Sequence, residues 1–175
     1  MKISPIVSTV LLCAASSLSM AQDTDAITHS SASASEFIDK AGTGGQAEVD
    51  MGELGVKKAS SGQVKSFAKR IVEDHTKANA ELVAVAKGKG EVPSSRDPMH
   101  KQMMDKFQQQ EAGKDWDRAY IEQMVEDHKT DVALFETAAD DEKLDADLRA
   151  YAKRTLPILR DHLTQAQTIE SKLSN

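Results

Sequence analysis

The sequence is poor in the residues on which several classes of protein depend. It contains one cysteine, one tryptophan and two tyrosines in 175 residues, and aromatic residues make up only 4% of the chain. Because strands favour aromatic and β-branched side chains, this composition favours a helical protein over an all-β fold. The length is sufficient for one domain with one hydrophobic core.

Runs of basic residues are also missing. Lysine and arginine never occur in clusters longer than a pair, and the formal net charge is −6. Nucleic acid is therefore not an expected partner, because its phosphates attract basic surfaces. The sequence also has no phosphate-binding loop, no haem-attachment motif and no nucleophile elbow.

The first 21 residues have the layout of a secretory signal peptide. Lys2 provides a positive start, an apolar run follows from Ile6 to Leu18, and the small residues Ser19 and Ala21 suit a cleavage site. The apolar run is shorter than the roughly 20 residues that a membrane-spanning helix needs. We therefore predict a signal peptide at 1–21, export to the periplasm or cell envelope, and no membrane span after cleavage. An uncleaved anchor is the alternative.

Cleavage would remove Cys13, the only cysteine. A mature chain without cysteine has no disulfide, no thiolate metal site and no cysteine nucleophile. The next residues, 22–33, are small and polar and predict a flexible linker, followed by a helical domain at 34–173.

Helical spacing of apolar residues begins at Ser35 and predicts four long helices. Glycines in the first helix favour close packing over a break, and Pro157 is expected to kink the last. The predicted elements are helix A at about 34–59, helix B after a cap at Ser60 or Ser61, a short helix at about 98–111, helix C at about 115–140 and helix D at about 144–173.

Four helices that each carry one apolar stripe predict a four-helix bundle. The connection between helices B and C, with its short extra helix, is long enough to travel back along the bundle. Helices B and C would then be parallel, as in ferritin-like bundles. A simple up-down bundle is the alternative.

An unusual motif is repeated along the helices. The sequence "VEDH" occurs at Val72–His75 and again at Val125–His128, and another aspartate–histidine pair lies at Asp161–His162. Each histidine falls on an apolar stripe near the middle of its helix, and Glu48 does the same in helix A. Helix midpoints share one level of a bundle whichever way each helix runs. We therefore expect one layer to contain four polar side chains: Glu48, His75, His128 and His162.

This layer has the composition of a metal site. Neutral imidazole is the commonest metal ligand, and three imidazoles with one carboxylate can form a tetrahedral shell. We predict one divalent ion, with Zn²⁺ favoured and Cu, Ni or Fe as alternatives. The preceding aspartates (Asp74, Asp127 and Asp161) project about 100° away from the histidines and are expected to orient ligands or to pair with basic residues.

Other interpretations remain open at this stage. A di-iron carboxylate centre needs Glu-x-x-His motifs, but Val72, Val125 and Leu159 occupy the glutamate positions. A metal-free polar layer would suit an envelope stress or protein-interaction module, whose partner and oligomeric state the sequence does not identify. A metal-dependent hydrolytic or redox enzyme would use Glu48 as a general base. His100, in the connection, is expected to be solvated.

Several of these motifs together resemble the DUF4142 family, a group of exported bacterial proteins labelled outer membrane proteins. They are "AGTGGQAEVDMGELG" at 41–55, "FAKRIVEDH" at 67–75, "YIEQMVEDH" at 120–128 and "LPILRDH" at 156–162. The resemblance covers about residues 35–170. It implies a ferritin-like bundle in the periplasm or cell envelope and no established activity.

Overall fold

The computed structural model describes residues 23–91 and 98–174, with side chains from residue 33, and its regular structure is helical throughout these ranges. The predicted signal peptide at 1–21 lies outside the described residues. The elements are α1 (Asp23–Lys58), α2 (Gly62–Lys87), α3 (Pro98–Gln109), α4 (Lys114–Asp140) and α5 (Ala146–Leu173).

Two helices begin directly after a residue whose side chain caps them. The Ser61 side chain accepts hydrogen bonds from the first turn of α2, and the Asp145 side chain does the same for α5. Such caps satisfy backbone N–H groups that have no partner within the helix. The predicted cap of helix B is confirmed, and helices C and D begin within about two residues of their predicted starts.

The first helix begins earlier than predicted. It starts at Asp23 rather than near residue 34, so the predicted boundary is wrong and most of the segment at 22–33 predicted as a linker is helical. The sequence contains no glycine or proline between residues 23 and 41, so nothing there interrupts a helix. The helix also continues unbroken through Gly42, Gly44 and Gly45.

Glycines let α1 approach its neighbour α2 closely. A Cβ atom at Gly45 would collide with the amide of Asn79, and a Cβ at Gly55 would lie 2.8 Å from the Ala68 Cβ. The prediction that these glycines serve close packing is therefore confirmed at Gly45. Since the chain position rises on α1 as it falls on α2, the two helices are antiparallel.

The order of contacting residues along α1 and α4 gives the direction of α4. Gly44 lies beside Asp131 and Gly55 lies beside Tyr120, so α4 also runs antiparallel to α1. Helices α2 and α4 are therefore parallel to each other. This is the predicted ferritin-like order, with α3 in the long connection, and it excludes the simple up-down alternative. Paired aromatic and histidine rings show α4 and α5 to be antiparallel as well: Phe135 with Tyr151, and His128 with His162.

Two apolar clusters form the core. One contains Met51, Trp116 and Tyr120, and the other contains Phe37 and Tyr151. Burial of these side chains supplies the main driving force for folding. The central polar residues of the bundle belong to neither cluster and lie where the two meet. Among the described residues, no helix combines the length and apolar character that crossing a bilayer requires.

The environment of His100 differs from the prediction. Its side chain is buried, with Nε2 3.2 Å from Asp50 Oδ2, so the expected solvated position is wrong. The cause is that α3 packs against α1. The indole N–H of Trp116 donates to the carbonyl oxygen of Phe107 at 2.9 Å and holds the end of α3 in place.

Candidate metal centre

Glu48, His75, His128 and His162 come together inside the bundle. All four side chains are buried, Glu48 being 2% exposed and His75 4% exposed. The centroids of the three imidazole rings lie 5.3–5.6 Å apart. One ring nitrogen from each histidine lies within 4.8 Å of the others, so the three can hold a metal ion.

Two of the imidazoles have one nitrogen held by an oxygen acceptor. His128 Nδ1 lies 2.8 Å from the carbonyl oxygen of Met124, one turn earlier in α4. His162 Nε2 lies 3.0 Å from Asp74 Oδ2 on α2. Since a carbonyl and a carboxylate can only accept, these nitrogens must carry the hydrogens. In the neutral tautomers, His128 Nε2 and His162 Nδ1 therefore carry lone pairs.

Those two lone-pair nitrogens face each other. His128 Nε2 and His162 Nδ1 are 3.3 Å apart in a buried site. A hydrogen bond between them would require a second N–H proton on one ring, which would make that ring a cation. Donors that bind one tetrahedral ion at about 2.0–2.1 Å lie about 3.3 Å from each other. The separation is therefore suited to two ligands of a single ion.

His75 and Glu48 complete the layer. Glu48 Oε2 lies 2.9 Å from His75 Nδ1, and Glu48 Oε1 lies 3.0 Å from His128 Nδ1. Neither oxygen receives these N–H groups in hydrogen-bonding geometry, so the contacts are electrostatic. His75 Nε2 is buried without a hydrogen-bond partner, and a buried polar atom in that condition is costly.

Burial keeps the imidazoles neutral. Removal from water lowers the pKa of His75 and of His128, although nearby carboxylates oppose the effect. Burial likewise lowers the pKa of His162 to about 4, against a hydrogen bond to Asp74 that raises it. A neutral imidazole is the form that binds metal, so at pH 7 the site is ready to bind an ion without first losing a proton from these rings.

This shift predicts that the metal-free protein loses stability in mild acid. An unfolded histidine binds a proton below about pH 6.5, whereas folded His162 binds one only near pH 4. Between these values the unfolded chain holds more protons, so the free energy of unfolding falls as the pH drops. We expect a loss on the order of 2–4 kcal/mol from His162, measured by urea unfolding at pH 7 and at pH 4.5.

The matched control is His162→Gln, which cannot titrate. Its stability should change less between the same two pH values than that of the wild type. An equal loss in both proteins would show that His162 is not the origin of the acid sensitivity. The titratable and charged groups that surround His162 are Asp74, His75 and Arg70 from α2, His128 and Asp131 from α4, and Glu48 from α1.

Two aspartates on α4 contribute to the layer. Burial raises the pKa of Asp131 well above its usual range, and the neighbouring Glu48 carboxylate raises it further. Asp127 is also affected, because burial raises its pKa to about 6. No role was expected for Asp131, although it lies three residues after His128 on the inward stripe of α4.

The aspartates before the histidines serve separate purposes. Asp74 points away from its own neighbour His75, as expected, and reaches His162 on α5. Burial raises the pKa of Asp74, but hydrogen bonds from His162 and Arg70 outweigh that effect and hold it below its usual value. Arg70 also reaches Asp161 at 2.6 Å, so its guanidinium group bridges α2 and α5 on the outside of the layer.

A cleft and a small void lie on either side of the layer. The cleft, of about 870 Å³, opens between α1, α3 and α4, and its wall includes Glu48, Asp127 and Asp131. The void, of about 10 Å³, is lined by His75, His162 and Asp131 among others. A void of that size is close to the minimum for one water molecule or one small ion.

Comparison with known proteins places this geometry in context. A solved structure titled "Crystal structure of DUF305 fragment from Deinococcus radiodurans" is similar, with a TM-score of 0.69 and 13% sequence identity over 80% of this chain and 96% of that one. At that identity the likeness shows the fold alone. No curated protein matches the chain. The family model described as "Domain of unknown function (DUF4142)" matches residues 19–169. The chain therefore belongs to the DUF4142 family.

Proposed function

We propose that this protein is an exported, periplasmic or envelope-associated metal-binding bundle that holds one divalent ion. The ligands are His75, His128 and His162. Glu48 adjoins two of these imidazoles and supplies negative charge that balances a divalent cation. Its role as a fourth ligand, suggested by the sequence, stays a prediction.

One observation carries the proposal. The oxygen partners of His128 and His162 fix tautomers whose remaining nitrogens face each other at 3.3 Å with lone pairs. Facing lone pairs repel unless a cation lies between them or one ring gains a proton. Burial opposes the proton, since it lowers the pKa of both rings. A metal ion resolves the conflict and also gives the buried His75 Nε2 a partner.

The donor set favours particular ions. Imidazole suits zinc, copper, nickel and iron, whereas magnesium and calcium prefer shells built from oxygen. Zn²⁺ fits three imidazoles with an adjoining carboxylate in tetrahedral geometry, so we propose Zn²⁺ first. Copper, nickel and iron follow. The physiological task would be to store, buffer or sense the ion, or to use it as a structural element.

A metal-free interaction module is the second candidate. Each histidine already has at least one polar neighbour, and the hydrogen bond from His162 to Asp74 is that of an ordered polar network. Such networks can specify a unique packing of a bundle. The unpartnered His75 Nε2 argues against this interpretation, because a network selected for structure would satisfy its buried atoms.

Elemental analysis tests the proposal. Tag-free protein, purified without chelators and loaded with Zn²⁺, is expected to contain about one metal ion per chain, because the three imidazoles form one site. The triple variant His75→Ala, His128→Ala, His162→Ala is expected to contain none.

His100→Ala provides the matched control. It also removes a buried imidazole that contacts an aspartate, but this imidazole lies outside the layer. Its metal content should equal that of the wild type. Stoichiometric metal in the triple variant, or its absence from loaded wild type, would overturn the proposed site.

A further inference from the structure

The layer has two sides from which an ion could arrive, and the two sides differ in how their carboxylates are paired. On the side of α2 and α5, the guanidinium group of Arg70 bridges Asp74 and Asp161 in front of His162. Because this guanidinium group is paired with both carboxylates, neither is left free to attract an approaching cation. The seam between α2 and α5 is therefore unfavourable for entry.

The opposite side carries carboxylates. The cleft between α1, α3 and α4 is open to solvent, and Asp127, Asp131 and Glu48 lie in its wall. The cleft has one lysine, Lys40, whose ammonium group is engaged with Glu36 at 2.6 Å. Clefts lined by charges of one sign concentrate the opposite ion and raise its rate of association about 10- to 1,000-fold.

Asp131 connects the cleft to the void. It lines the wall of the open cleft and also the wall of the void beside His75 and His162. Its neighbour across the helix interface is Gly44, where a Cβ would lie 3.4 Å from Asp131 Oδ1. Because Gly44 has no side chain, α1 does not cover Asp131 Oδ1 at this point.

We propose that metal ions enter through this cleft and that Asp131 passes them from the cleft to the histidines. This inference rests on the proposed function, because it describes the route to the same site. Asp131 is thus a transfer residue on the path, and the histidines remain the final ligands.

Stopped-flow kinetics with Zn²⁺ alone test the route. Metal-free protein is mixed with Zn²⁺ and a chromophoric zinc indicator to measure uptake, and loaded protein is mixed with excess chelator to measure release. In Asp131→Asn, uptake and release should both slow about ten-fold or more, while stoichiometry and the dissociation constant stay near those of the wild type. A transfer residue affects both directions alike, whereas loss of a ligand would mainly weaken equilibrium binding.

A second variant acts by shape instead of charge. Gly44→Leu extends a side chain over Asp131 from a position where its Cβ makes an ordinary contact. It should also slow uptake and release together. Because leucine favours the helix more than glycine, this variant is expected to fold.

Two controls separate this route from a general charge effect. Glu126→Gln makes the same type of charge change beside Asp127 on the exposed face of α4, where Glu126 pairs with Lys129, and it should leave uptake unchanged. Arg70→Gln opens the opposite side and should also leave uptake unchanged. Faster uptake in Arg70→Gln would place the entry between α2 and α5 and overturn the proposal.

The remaining outcomes distinguish the two proposals. Wild-type uptake rates in both Asp131→Asn and Gly44→Leu would overturn the route while leaving the metal site intact. Loss of stoichiometric binding in Asp131→Asn would make this residue a ligand and overturn its transfer role. Failure of the wild type to bind Zn²⁺ would overturn the site and the route together.

Discussion

Adding Zn²⁺ at a thousand times its dissociation constant is expected to raise the free energy of unfolding by about 4.1 kcal/mol. The proposed ligands lie on α2, α4 and α5 and are brought together only in the folded protein. For a chain of this length, that gain corresponds to an increase of about 8–16 °C in the melting temperature. Thermal unfolding followed by circular dichroism, with and without Zn²⁺, measures the effect.

Two controls define the specificity of this stabilisation. Mg²⁺ at the same concentration should leave the melting temperature unchanged, because it prefers oxygen ligands in an octahedral shell. The triple histidine variant should gain nothing from Zn²⁺. If Zn²⁺ left the wild-type melting temperature unchanged as well, the metal-free interaction module would be the better description of the protein.

Replacing the three histidines and Glu48 with leucine is expected to stabilise the metal-free protein. The variant combines His75→Leu, His128→Leu, His162→Leu and Glu48→Leu. Burying polar and charged groups has a desolvation cost that their mutual contacts repay incompletely, and apolar replacement of such groups is often stabilising by about 1–4 kcal/mol. Urea unfolding of the two metal-free proteins measures the difference. The variant should not bind Zn²⁺.

The informative comparison is with the variant that replaces the three histidines by leucine but keeps Glu48. It leaves a buried carboxylate without its imidazole neighbours, and we expect it to be about 3–5 kcal/mol less stable than the metal-free wild type. A large loss in the four-leucine variant as well would mean that the layer supports the fold by itself. The imidazoles would then be structural, and the case for a metal would weaken.

The bundle could be predicted because its signals are local. Apolar spacing, the cap at Ser61 and the small residues of α1 can each be read within a few residues of sequence, and each recurs in the structure. The early start of α1 was missed because a stretch of small polar residues is typical of linkers as well as compatible with helix. Propensity alone does not separate these two outcomes.

The histidine layer could be predicted from helix midpoints, since a bundle brings midpoints to one level. The positions of Asp131 and Arg70 around the layer could not be predicted, because these positions depend on which helices are neighbours. Asp131 stands on the same stripe as His128, but only the packing of α4 against α1 puts it between a cleft and a void. The contact from Asp74 to His162 likewise requires α2 to lie beside α5.

The arrangement of the layer has a consequence for how the chain opens. Helices α1 and α2 pack mainly on each other, as do α4 and α5, so the bundle consists of two hairpins. Glu48 and His75 belong to the first hairpin, and His128 and His162 belong to the second. In the metal-free chain each hairpin can loosen as a separate cooperative unit, as partial unfolding in larger helical proteins allows. An ion bound by histidines from both hairpins would join them into one cooperative unit. The rate of backbone amide exchange in either hairpin would then report whether the metal site is occupied.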